Sequence, residues 1–419
     1  MRKFENANGT MIIGGVSAVD LAERYGTPLY VTDEEAVRQN YRRIRDAFRP
    51  YMPVRVHFAC KANWALAILK ILNQEGSHID AVSVNEVDAC RRAGFPANRI
   101  LYTGVSVSTE ELYQVASRGA MINIDSLSEL RRLAEMTTDV QISLRVNPGV
   151  GAGHHAHVVT GAKTSKFGIP REQIIQAYDE ALELGFMPFG IHGHIGAGVQ
   201  EVKPFIEVTD VLVSVANEVE DKLGLKLKVI DIGGGVGIPY RPEEKEMNLD
   251  QYAMEVTARI KGHCSADTVA IEPGRYIIAD TTVLLTRAND IKETPEKKFI
   301  GVDAGFNTLI RPAFYDSYHH IAVANKFEAQ GEQVYDVVGP LCESGDFLGK
   351  DRMLPRVEEG DLLAVYDAGA YGFTMSSNYN MRTRCREVLT HEGEAYLIRE
   401  AESLNDLLRQ ERIPARLMI

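Results

Sequence analysis

Between about residues 54 and 272 the chain alternates eight times between a short apolar run and an amphipathic stretch. The runs are Val54–Cys60, Ile79–Val82, Ile100–Thr103, Met121–Ile124, Val140–Val146, Pro188–Ile195, Leu227–Ile232 and Thr268–Glu272. Helical patterns such as Ala65–Asn73, Val84–Ala93, Ser108–Ser117 and Pro204–Leu223 lie between them. The runs are rich in β-branched residues and the intervening stretches repeat near 3.6, so each pair reads as a strand followed by a helix. Eight successive units predict a closed (β/α)8 TIM-like barrel rather than an open doubly wound sheet. Such a barrel carries its chemistry at the carboxyl ends of its strands. The chain obeys that demand: Lys61 follows the first run, Asp80 ends the second, and Arg145 and Asn147 end the fifth. His192 and His194 end the sixth, Gly233-Gly234-Gly235 follow the seventh, and Glu272 ends the eighth.

Past residue 285 the texture changes. Lys298–Asp303, Gln333–Val338, Asp361–Asp367 and Arg386–Thr390 read as strands separated by turn residues, and no helical alternation returns before Ser403–Gln410. The fold class expected is therefore α/β plus β, with a barrel over 32–285 and a mainly β domain from 1–31 and 286–419. Met11-Ile12-Ile13 and Leu29-Tyr30-Val31 are the amino-terminal strands offered to that second domain. A net charge of -12 argues against nucleic acid or an anionic membrane as the main partner. No run nears 18 apolar residues, no apolar leader opens the chain, and the five cysteines form no CxxC pair. A cytoplasmic protein is the expectation.

Within this frame, several groups carry chemistry. A lysine at the mouth of a barrel is desolvated toward the neutral amine, which can condense with an aldehyde; the bland alternative is a lysine snorkelling from a strand end. Asp231-Ile232-Gly233-Gly234-Gly235-Val236-Gly237 offers backbone N–H groups to a phosphate, although it is neither a dinucleotide fingerprint nor a Walker loop. Glu272-Pro273-Gly274-Arg275 places a carboxylate where it could hold a pyridinium N–H, or make an ordinary ion pair, and adds a planar guanidinium. His192 and His194, two apart, face the same way; stacking on a flat ring suits them better than metal, for which no third ligand is evident. His154, His155 and His157 read as polar loop contacts rather than metal ligands. Cys342 beside Glu343 suits proton donation or a structural thiol, and Arg311 with Tyr315 suits a substrate carboxylate or an interdomain ion pair.

Seven motifs then occur in order: His57-Phe58-Ala59-Cys60-Lys61-Ala62-Asn63, Ser165-Lys166-Phe167-Gly168, His192-Gly193-His194-Ile195-Gly196, Gly233-Gly234-Gly235, Glu272-Pro273-Gly274-Arg275, Cys342-Glu343-Ser344-Gly345-Asp346 and Asp367-Ala368-Gly369-Ala370-Tyr371. From about residue 10 to 405 the chain resembles the fold-type III, alanine-racemase-like pyridoxal-phosphate decarboxylases. It is most like the branch that converts meso-2,6-diaminopimelate to L-lysine and CO2, the last step of lysine biosynthesis. The resemblance implies that Lys61 holds pyridoxal 5'-phosphate and that His194 stacks on the ring. It implies that Glu272 pairs with the ring nitrogen and that Gly233, Gly234, Gly235, Gly274 and Arg275 lie near the phosphate. Asp80 and Tyr371 complete the cofactor set. Arg311 and Tyr315 would hold the distal carboxylate of the substrate, with Arg275 and Tyr371 also on the substrate side. Glu343 would read the distal amine, and Cys342 would protonate the carbon after CO2 leaves. In this family the last two reach into a partner subunit's site, so a homodimer with shared sites is implied. Ornithine-type relatives carry aspartate at the Glu343 position and lack the Arg311 anchor. Ala197 departs from the serine usual in the family, which removes about 1 kcal/mol of phosphate hydrogen bonding. The alternative is a sister decarboxylase for another amino acid, free or carrier-bound. A racemase needs a second base that the Cys342-Glu343 motif fits poorly, and non-catalytic homologues commonly lose the lysine or the cysteine that this chain keeps.

Overall fold

The computed structural model describes residues 4–149 and 165–418. They divide into two compact units, residues 36–278 and residues 1–35 with 279–419. His154, His155 and His157 lie outside the described residues.

The first unit is the barrel. Its strands are Val54–Ala59, His78–Ala81, Ile100–Tyr102, Met121–Ile124, Ile142–Asn147, Gly190–His192, Val229–Asp231 and Thr268–Ile271. All neighbouring pairs are parallel, and Val269–Ile271 pairs with Val54–Val56 to close the ring. Strands covered on both faces read as unbroken buried runs, as Met121–Ile124 and Ile142–Asn147 do. After the second, third and fourth strands the chain turns into its helix by one local device. Ser83, Ser108 and Ser126 each cap a helix, accepting from the backbone N–H of the glutamate three residues on. Each such cap contributes about 1 kcal/mol and fixes where the helix starts.

The eighth unit departs from the expected pattern. After the last strand the α-helix is a single turn, Arg275–Ile278, followed by a 3-10 turn at Ala279–Thr281. The helix Glu34–Phe48, ahead of the first strand, packs on the barrel instead. Its Asn40 Nδ2 donates to the carbonyls of Tyr276 and Ile277 at 3.3 and 3.2 Å, satisfying the end of the short helix. Phe48 meets Tyr252 edge to face at 5.1 Å. His57 and His78 sit at paired positions with rings 5.0 Å apart, and burial holds both neutral, at about 4 and about 3.

The second unit is mainly β. Thr282–Glu293 is its longest strand and pairs antiparallel with Leu29–Asp33, Lys298–Val302 and Leu362–Val365. Leu29–Asp33 also pairs in parallel with Arg386–His391, which places an amino-terminal segment inside the sheet. Met11, Ile13, Leu21, Leu29, Val31, Val283, Leu285, Ala364 and Val388 share its apolar core.

Candidate active site

The first strand ends in a 3-10 turn, Cys60–Ala62, that delivers Lys61 to the barrel mouth. Lys61 is 44% exposed, and its Nζ donates to Oδ2 of the fully buried Asp80 at 2.9 Å. Thr103, at the end of the third strand, holds the other oxygen of Asp80. The acid is thus fixed before it meets the amine. Gly274 permits the close approach of the eighth strand's turn: a Cβ there would stand 3.0 Å from Cβ of both Ala59 and Ala62. Arg275 follows it, buried, and donates to Tyr240 Oη at 2.6 Å.

The two loops after the sixth and seventh strands lock together. Val199 N donates to Gly235 O at 2.9 Å, and Gly237 N donates to Val199 O at 2.8 Å. Gly233 and Gly235 have φ of 70° and 117°, where side chains are disfavoured. A Cβ on Gly234 would lie 2.3 Å from the Glu272 carbonyl oxygen, and one on Gly235 2.7 Å from that of Gly196. Only bare backbone fits this turn. Gly234 N donates to His194 Nδ1 at 3.1 Å, so that nitrogen carries a lone pair. Burial, with the nearby Arg145 charge, holds His194 neutral with a pKa of about 3.

Glu272 is buried. His192 Nε2 lies 3.2 Å from its Oε2, while its Oε1 is buried with no hydrogen-bond partner among the described residues. Burial opposes the charge on Glu272, but the His192 imidazole outweighs it and holds the carboxyl well below the usual range. Asp231 lies alongside, its Oδ1 accepting from Gly233 N at 2.9 Å. Ligand atoms of His192, Asp231 and Glu272 fall within 4.8 Å of one another, so His192 has two carboxylate neighbours that its spacing to His194 did not suggest.

A pyridoxal phosphate fits these residues. It needs an amine for its aldehyde, bare backbone for its phosphate and an anion for its ring nitrogen. Lys61, the side-chain-intolerant glycine turn and the unpartnered Glu272 oxygen have those chemistries.

The structure brings together Lys61 with Asp80, His194 with Gly234, and Glu272 with Gly234 and His192. The remaining candidates belong to the β unit. Arg311 is 2% exposed at the start of the short helix Arg311–Tyr315. Its Nε donates to His319 Nε2 at 3.3 Å and its Nη2 donates to Ser317 Oγ at 3.3 Å. His319 can accept there because its Nδ1 donates to the Tyr366 carbonyl at 2.8 Å. The Arg311 guanidinium stands 5.9 Å from the centroid of the Tyr315 ring. Tyr371 has a left-handed φ of 59° in the turn after Asp367. Cys342 and Glu343 are exposed.

Several organising residues escaped the sequence reading. Asp125 accepts from Gly168 N at 2.9 Å and lies 3.6 Å from Arg145, which seats the Ser165–Gly168 motif on the fifth strand. Tyr379 Oη donates to Glu343 Oε1 at 2.5 Å, and Asn380 Oδ1 accepts from Cys342 N at 3.4 Å and lies 3.5 Å from Cys342 Sγ. Asp346 accepts from Phe306 N and Leu341 N at 2.7 and 2.8 Å, fixing the start of the Cys342 loop. Asp346 was part of a motif already noticed; Tyr379 and Asn380 lie over 35 residues from their partners and leave no local signal.

Residues 34–279 match the family described as pyridoxal-dependent decarboxylase, pyridoxal binding domain. The chain is 49% identical over 420 residues to the diaminopimelate decarboxylase of Methanothermobacter thermautotrophicus, covering 99% of this chain and 98% of that protein. It is 42% identical to that of Archaeoglobus fulgidus, covering 98% and 99%. The crystal structure of diaminopimelate decarboxylase from M. jannaschii in complex with L-lysine superposes with a TM-score of 0.93 at 35% identity, covering 99% of both chains. Likeness of this extent takes in both units as well as the lysine-bearing barrel, and it shows that the chain belongs to the diaminopimelate decarboxylase family of pyridoxal-dependent decarboxylases.

Proposed function

We propose that this chain is a pyridoxal-phosphate-dependent carboxy-lyase that converts meso-2,6-diaminopimelate to L-lysine and CO2. The observation that carries the reading is the buried Glu272, with one carboxylate oxygen tied to His192 and the other unpartnered. A buried ionised oxygen without a partner is costly, and a cofactor ring N–H would satisfy it.

In this reading Lys61 anchors the cofactor, whose conjugated ring accepts the electrons left when CO2 departs. Glu272 keeps the ring nitrogen protonated through Oε1. Gly233, Gly234 and Gly235, with Gly274 and Arg275, receive the phosphate, and the neutral His194 stacks on the ring. Asp80 receives the Lys61 proton at Oδ2, across the 2.9 Å contact. Arg311, pinned by His319 and Ser317, offers its guanidinium to the distal carboxylate together with Tyr315. Glu343 takes the distal ammonium, Tyr371 closes over the cofactor and substrate, and Cys342 Sγ returns a proton to the carbon that lost CO2.

The same reading makes the protein a cytoplasmic homodimer in which Cys342 and Glu343 serve the partner's site. All five cysteines are free, as a reducing compartment requires. No helix among the described residues is long and apolar enough to cross a membrane. Phe314, Tyr379 and Met381 are exposed hydrophobic residues in the unit that carries Cys342, which suits a surface that a second copy covers.

The deciding experiment offers the loaded enzyme meso-diaminopimelate, ornithine, arginine and lysine in parallel and measures CO2. Release from diaminopimelate alone, with lysine as product, is expected. Release from another substrate would move the chain to a sister specificity, with Arg311 and Ala197 the first places to look.

A further inference from the structure

His192 is buried and has no part in the mechanism above. It occupies the end of the sixth strand, in register with Asp231 on the seventh, which is itself in register with Ala270 on the eighth. Glu272 lies two residues beyond Ala270. The parallel register of three neighbouring strands therefore brings an imidazole and two carboxylates together, with atoms within 4.8 Å of one another.

We propose that His192 is a positioning residue for the cofactor: its Nε2 ties Oε2 of Glu272 and so presents Oε1 to the ring nitrogen of the bound group. This rests on the reading of Glu272 as the partner of that nitrogen. The electrostatics agree. Burial opposes a charge on His192, but the Glu272 carboxylate outweighs it and raises the imidazole. Burial, reinforced by the Glu272 charge, pushes Asp231 up to about 8. The three groups are thus driven apart, Glu272 toward the carboxylate, Asp231 toward the acid and His192 toward the imidazolium. Arg145, Lys61, His194 and Asp80 also act on these groups. Without the imidazole, Glu272 is left beside Asp231 in a buried site, and taking up a proton becomes the cheaper state. A neutral Glu272 no longer holds the ring nitrogen protonated.

The test titrates the full-length protein with pyridoxal phosphate alone and reads the dissociation constant and the absorption band of the bound cofactor. His192→Ala is expected to weaken binding about tenfold or more and to move the band in the same sense as Glu272→Gln. His192→Gln, which keeps a donor, recovers part of the loss. If Glu272→Gln itself changes nothing, the reading of Glu272 fails and the proposal falls with it. If Glu272→Gln is impaired while His192→Ala binds and absorbs as the parent does, Glu272 keeps its role and His192 loses the one proposed here. Should His192→Ala not fold, His192→Gln is compared in the parent and in the Glu272→Gln background. A His192 effect that disappears there supports the proposal, and full additivity overturns it. Loss of cofactor binding after chelator treatment would assign the array to a cation and overturn it as well.

Discussion

The barrel unit buries the acids and the imidazole around Lys61, whereas the β unit leaves Cys342 and Glu343 exposed. Inside a closed ring of strands Asp80 is held by the Thr103 hydroxyl, Asp231 by the backbone N–H of Gly233, and Glu272 by His192. His192, Asp231 and Glu272 sit in a medium of low dielectric, where each shifts the proton affinity of its neighbour. Cys342 and Glu343 depend instead on two side chains of a neighbouring segment, Asn380 and Tyr379. Exposed hydrogen bonds of that kind are individually weak. The contrast teaches that the buried acids of the barrel are organised by the closed fold, while Cys342 and Glu343 are held in water by single side-chain contacts.

The sharpest way to break this contrast is Lys61→Ala, which should abolish turnover. Appreciable multiple-turnover CO2 release in that variant would remove the barrel mouth from the chemistry. Next, Glu343→Ala should lower kcat/KM for diaminopimelate by roughly tenfold to a hundredfold while cofactor absorbance stays unchanged, since a charged hydrogen bond to substrate is lost. Unchanged catalytic efficiency would take Glu343 out of the substrate site. Mixing Lys61→Ala and Cys342→Ala chains in equal amounts should restore about a quarter of parent activity. Half the dimers are hybrids, and each hybrid has one site with both groups intact. No recovery after subunit exchange would mean that each chain completes its own site.

Smaller effects separate the two regions further. Tyr379→Phe should raise the KM for diaminopimelate about threefold to tenfold, the worth of one hydrogen bond holding Glu343, with kcat nearly unchanged. The barrel, by contrast, should show its burial in a pH dependence of stability. Burial raises Glu129 to about 8, despite its hydrogen bond from Asp125 N. A folded pKa above the unfolded one means stability that is full below about 4.5 and lost as pH climbs through about 8. Glu129→Gln removes that loss. Its melting temperature should match the parent near pH 5 and exceed it by a few degrees near pH 8. Equal pH slopes in the two proteins would place the proton elsewhere.

How far the sequence could be read follows from the range of each interaction. The eight strands were legible because apolar periodicity is local, and so was Lys61, one residue after such a run. The glycine turn was legible because glycine is favoured at the left-handed φ values found at Gly233 and Gly235. The shortened final helix was not. Its role on the barrel falls to Glu34–Phe48, which precedes the first strand by several residues yet meets Tyr276 and Ile277. The pairing of Asp125 with Gly168 and of Asn380 with Cys342 was equally silent, because neither residue type nor spacing announces it.

By itself the sequence determined the order of strands and helices and the chemical groups at the strand ends, since both rest on neighbours within a few residues. Tertiary structure alone decided which of those groups share a charge. His192, Asp231 and Glu272 are up to 80 residues apart, and only the parallel register of three adjoining strands sets them side by side. Burial then separates their proton affinities, an effect that depends on the excluded solvent and the nearest charge rather than on residue identity.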